Sequence, residues 1–243
     1  ILIKVLKNSR VNEITKEHLL PKFFFFKNIF FQSMPIIVSI CGYSIAAAII
    51  FTYVGQFGEY TAAGYGVGTR IEQVLLLPIL GINTAIISII AQNYGAKNFN
   101  RIKETYFTAL KYAFIIMVTS GIVVFTSANI ITSFFSNDPE VIEYGKRYLK
   151  ISAFVLPAYP IFFLSNGFFM ALKKSENAMI TNFFRNVMNP ILVFYIAKYI
   201  SASFNTFFWI WVAINWFFSI LYLMIVLYYL KSRLDKSSAV VHP

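Results

Sequence analysis

Six apolar runs dominate the chain, at roughly 29–54, 73–92, 106–135, 148–172, 177–199 and 205–230. Each approaches or exceeds the ~20 residues that a helix needs to cross about 30 Å of hydrocarbon. The polar residues inside them are mostly Ser, Thr, Asn and Gln rather than carboxylates, as expected where water is scarce. Only 13% of the 243 residues are charged, about half the share a soluble domain uses to meet water. The predicted fold class is therefore all-α: a polytopic membrane protein with six transmembrane helices.

The basic residues test that count, because cytoplasmic loops are enriched in Lys and Arg. Threading the chain six times puts 16 of its 21 Lys and Arg on one side and 5 on the other, while the ten acids divide equally. The whole net charge of +11 then falls on one face. That face is expected to be cytoplasmic and to hold both ends of the chain, and a nucleic-acid partner loses its support. Segments 1–28 and 232–243 read as a cytoplasmic linker and tail flanking a lobe at 29–231, in a multi-pass protein of the cell membrane. The chain opens on Ile1 without a signal-peptide pattern, so its start reads as internal. Asp138 before Pro139, with Glu140 next, predicts a helix start that runs through Tyr148 into the fourth span.

Enzymatic chemistry finds no constellation. His18 and His242 are far apart in sequence, no carboxylates pair, and the single Cys41 excludes an internal disulfide and a Cys-based metal site. No metal and no cofactor is expected. Gly64, Gly66 and Gly68 lie in the first outer loop, where tight turning and close helix approach explain them better than a phosphate cradle.

Polar side chains at helical spacing carry the best site signal. Asn182, Arg185, Asn186 and Asn189 fall at i, i+3, i+4 and i+7, one stripe that must face protein or water. The amides either line a polar cavity or hold helices together, and Arg185 reads as snorkelling to the cytoplasmic surface. Asn83, Asn166 and Asn215 are similar cases, and Tyr43 and Tyr159 join them as cavity candidates. Pro35, Pro78, Pro157, Pro160 and Pro190 are candidate helix bends, since each removes a backbone hydrogen bond. Glu72, beside Arg70 at the start of the second span, reads as a solvated interfacial charge and as a weak candidate for ion coupling.

Segment 62–98, AAGYGVGTRIEQVLLLPILGINTAIISIIAQNYGAKN, resembles the second-span region in the carboxy-terminal half of multidrug and toxic compound extrusion (MATE) transporters. Its ending Gln92-Asn93-Tyr94-Gly95-Ala96, with Arg101 beyond, is similar to that family's loop motif. Segment 134–151, FFSNDPEVIEYGKRYLKI, resembles the family's outer loop and helix start, and Pro35 stands where the first helix of that half bends. The resemblance implies one six-helix lobe of a twelve-helix transporter of the MOP superfamily. Such a protein is a secondary active multidrug efflux antiporter of xenobiotics, antibiotics included. It exports organic, often cationic and aromatic, compounds against protons or sodium ions by alternating access. Its partners are the lipid bilayer, small-molecule substrates and the N-terminal six-helix lobe. Some sodium-coupled members carry acids where this chain has Tyr43 and Pro160, so coupling is expected to use the other lobe or polar groups alone. Two alternatives remain. One is a lipid-linked oligosaccharide flippase of the same superfamily, whose pyrophosphate needs several basic residues; the other is a non-transporting membrane fragment.

Overall fold

In the computed structural model, which describes residues 23–234, each apolar run forms a helical rod, and no strand occurs among the described residues. The helices are α1 (Phe23–Gly55), α2 (Glu59–Gly95), α3 (Phe99–Ser133), α4 (Pro139–Ser152), α5 (Tyr159–Ala171), α6 (Ser175–Phe183), α7 (Asn189–Tyr199) and α8 (Phe204–Tyr229). A 3₁₀ turn, Leu156–Ala158, joins α4 to α5, and π turns Phe184–Met188 and Leu230–Leu234 follow α6 and α8. His18, His242, most of the expected linker and most of the expected tail lie outside the described residues. The chain divides into two compact units, the first ending at Ile40 and the second starting at Cys41. The described part of the first is helical, with Pro35 inside that helix; the packing below is that of the second.

Among the described residues three rods, Glu59–Gly95, Phe99–Ser133 and Phe204–Ser232, are individually long and apolar enough to cross a membrane. The pair Pro139–Ser152 and Leu156–Ala171 makes a fourth if taken as one span, bent by 41°. The fifth rod is divided at its π turn, and Cys41–Gly55 is a shorter apolar helix among the described residues.

The second helix corrects the reading of the glycine string. It starts at Glu59 rather than near residue 73, so Gly64, Gly66 and Gly68 are helical and Glu72 lies about 20 Å along the axis at 1.5 Å per residue. A side chain is unwelcome there for a packing reason. A Cβ on Gly64 would stand 2.7 Å from the backbone nitrogen of Gly145 and 2.8 Å from the carbonyl oxygen of Val141 on α4, and one on Gly68 would collide with the Tyr148 ring. Small residues let α2 and α4 approach this closely, and α2 makes its most extensive contacts with α4, α3 and α5.

Helix ends follow local chemistry. The Asp138 carboxylate accepts from the backbone nitrogens of Glu140 (2.9 Å) and Val141 (3.4 Å), with Pro139 at the first helical position. Asp138→Ala is expected to cost about 1 kcal/mol, read as a lower unfolding midpoint of the detergent-solubilised protein. Three connections turn on a non-glycine residue in the left-handed region, Lys97, Lys173 and Ser201, at φ 56°, 57° and 51°. Each is followed by the same closure, in which the next backbone N–H donates five residues back: Asn98 to Asn93 at 2.9 Å, Lys174 to Phe169 at 3.0 Å and Ala202 to Ala197 at 2.8 Å. That is the Schellman pattern, usually completed by glycine.

The expected continuous fourth span breaks between Ser152 and Leu156. Pro157 and Pro160 contribute no N–H, so carbonyls before them lose helical partners. Side chains from α8 satisfy two carbonyls here: Trp216 Nε1 donates to the Phe154 oxygen at 2.9 Å, and Ser219 Oγ to the Ala158 oxygen at 3.3 Å. Such rescue is what allows a break within hydrocarbon. Pro190 sits at the start of α7, directly after a π turn, whereas Pro78 lies exposed inside the uninterrupted α2.

Candidate binding cavity

Helix α2 turns one stripe of side chains toward an internal cavity. Tyr65, Thr69, Glu72, Gln73, Leu76 and Leu80 recur at spacings of three, four and one and line one wall of a cavity of about 360 Å³. That volume suits a small organic ligand. Tyr148 and Tyr159 from α4 and α5, Arg185 and its neighbouring amides from the fifth rod, and Trp211 with Asn215 from α8 complete it.

Glu72 is the carboxylate of this chamber. It is buried, while Arg70 is exposed; the reading of a solvated interfacial pair is therefore corrected. The cause is the added length of α2, which carries residue 72 inward past the helix start. Each carboxylate oxygen accepts a tyrosine hydroxyl: Tyr148 donates to Oε2 and Tyr159 to Oε1. A buried carboxylate persists only where such donors replace water. Edge-to-face packing of Tyr148 against Tyr65 and Phe208 fixes its ring, with centroids 5.1 and 4.9 Å apart.

Arg185 does not reach for the surface. Its guanidinium carbon lies 4.1 Å from the Phe162 ring centroid, 4.8 Å from Phe163 and 5.0 Å from Tyr159, and the residue lines the cavity. Snorkelling is thus corrected. Three π faces hold the cation inside.

The cavity brings together Tyr43, Tyr159, Asn182, Asn186 and Asn215 of the expected set, and Pro190 also lines it. Asn215 also donates from Nδ2 to the Trp211 oxygen on its own helix, at 2.9 Å. Asn83, Asn166 and Asn189 are not among the lining residues. Asn83 Oδ1 is buried against Gly167. Asn166 Nδ2 donates to the Ala178 oxygen at 3.1 Å and links α5 to α6. Asn189 is fully buried, because the π turn at Phe184–Met188 inserts a residue and rotates later positions by about 100°. The single stripe from 182 to 189 therefore splits after Asn186. Tyr65, Tyr148, Phe162, Phe163 and Trp211 were not singled out from the sequence, since isolated aromatics in apolar runs carry no local mark.

A bundle of apolar helices around a polar, aromatic-walled chamber is the architecture of a multi-pass membrane protein. The MatE family model matches residues 35–195, well over half of the 243 residues, and the chain belongs to that family of transporters. A protein of Shewanella oneidensis named FAD transporter is 30% identical over 107 residues, covering 44% of this chain and 24% of the relative. Multidrug export protein MepA of Staphylococcus haemolyticus is 25% identical over 175 residues, covering 71% and 38%. Among solved structures, a MOP superfamily transporter from Pyrococcus furiosus aligns with a TM-score of 0.80 at 22% identity, over 93% of this chain and 50% of its own. A multidrug resistance MATE family transporter in an outward-facing conformation aligns at 0.78 and 21%, over the same shares. The chain spans a quarter to two fifths of the length of these curated relatives and about half of these solved chains.

Proposed function

We propose that this chain forms one lobe of a secondary active exporter of aromatic organic compounds. A second six-helix lobe closes the other side, and the chamber between the two opens to each face of the membrane in turn. The observation that carries this reading is a buried carboxylate, Glu72, in the wall of a chamber lined by Tyr43, Tyr65 and Trp211. Flat rings gain dispersion and stacking there without strict geometry, which suits broad specificity, and the relatives named for multidrug export support it.

Coupling is assigned to Glu72 in exchange for a proton or a sodium ion. Loading that carboxylate with a cation changes the charge of the chamber by a full unit, which ties occupancy of the acid to the binding of a charged substrate. Both ends of the chain are assigned to the cytoplasm, from the segregation of basic residues. The full-length protein, reconstituted in vesicles with an imposed proton or sodium gradient, is expected to move aromatic dyes when the gradient is applied and to stop when it is collapsed. Equal movement with and without the gradient overturns the reading.

A further inference from the structure

Arg185 and Glu72 share a chamber but are satisfied unequally. The two carboxylate oxygens of Glu72 each already accept a tyrosine hydroxyl. Among the described residues, the Arg185 guanidinium has neither a carboxylate at ion-pair distance nor a hydrogen-bond acceptor; the rings of Tyr159, Phe162 and Phe163 surround it, and Glu72 acts on it only through the field of its charge. Asn182 and Asn186, three residues before it and one after, line the same cavity.

Aromatic faces interact with a guanidinium without using its N–H groups, which lie in its plane. The rings hold the charge without offering it an oxygen, so among the described residues its N–H donors meet no oxygen acceptor. Five N–H groups at fixed angles match two oxygens of a carboxylate or phosphate. The amides beside it add neutral donors. A cation gains less here: the rings best placed to receive one already hold Arg185, and the opposite charge in the chamber, Glu72, already has both oxygens engaged by tyrosine hydroxyls.

We propose that Arg185 receives the anionic group of the substrate, so that this chamber takes flat aromatic compounds bearing a carboxylate or phosphate in preference to aromatic cations. The inference rests on the export reading above and names its substrate class. The ring system of the ligand lies against Trp211, Tyr43 and Tyr65, and its acidic group meets the open edge of Arg185.

Two xenthene dyes of similar size and opposite charge separate the possibilities: fluorescein, an anion, and rhodamine 6G, a cation. Dye binding to the purified full-length protein is followed by fluorescence anisotropy. Fluorescein is expected to bind at least tenfold more tightly than rhodamine 6G. Arg185→Gln is expected to remove that preference by weakening fluorescein at least tenfold while leaving rhodamine 6G unchanged or tighter. Arg185→Lys, which keeps the charge and loses the fork, is expected to fall between and to report on folding. Rhodamine 6G binding as tightly as fluorescein to the unaltered protein overturns the proposal, as does an equal loss of both dyes in Arg185→Gln when Arg185→Lys binds normally. Gradient-driven uptake in vesicles separates this inference from the reading beneath it. Uptake of rhodamine 6G with fluorescein excluded sinks the anion site and keeps export; Arg185-dependent fluorescein binding without uptake of either dye sinks export and keeps the site.

Discussion

Glu72→Gln is expected to lower gradient-driven dye movement by the full-length protein about tenfold or more, the scale of a coupling free energy of 1–3 kcal/mol. Dye binding at equilibrium should persist. The amide keeps the size of the carboxylate and one acceptor oxygen, so one tyrosine continues to donate. The other hydroxyl reverses and accepts from the new NH₂ group, which spares the fold. Glu72→Leu is the contrasting case, because it strips the acceptors from the hydroxyls of Tyr148 and Tyr159, at about 1–3 kcal/mol for each buried group left unpaired. Transport assays and thermal unfolding in detergent, run on both variants, distinguish coupling from scaffolding. Unchanged gradient dependence in Glu72→Gln removes the acid from the coupling scheme.

The second large effect is steric. Gly64→Ala is expected to destabilise the protein by about 1–3 kcal/mol, the usual cost of overpacking, and Gly64→Leu to prevent folded protein from accumulating. A Cβ at position 64 meets the backbone of Gly145 and Val141, and backbone in the middle of packed helices has no rotamer by which to retreat. Gly66, two residues on, has open space where its Cβ would stand, so Gly66→Ala is the matched control. The comparison is read as the yield of monodisperse protein and its unfolding midpoint.

Much of the architecture was legible because apolar length alone dictates it. The six runs fall on helical segments, and the cap at Asp138 and the connectors near residues 97, 173 and 201 coincide with helix ends. Three features escaped for physical reasons. The first turns of α2 are rich in Gly, Thr and Tyr, residues that favour neither water nor helix, so hydropathy placed the helix start too late and left Glu72 at the surface. Extending that helix back to Glu59 would have aligned Tyr65, Thr69, Glu72 and Gln73 on one face. The π turn at Phe184–Met188 has no sequence signature beyond the proline that follows, and it alone divides Asn182 and Asn186 from Asn189. The cage around Arg185 is built from α5, a helix distant in sequence, and pairing of that kind becomes visible only when the rods are packed.

The tyrosines that hold Glu72 stand on opposite sides of the break in the fourth rod, Tyr148 on the limb before Ser152 and Tyr159 on the limb after Leu156. One carboxylate thus acts as a rivet through two plates. The tilt between the two limbs is thereby tied to the state of this single acid.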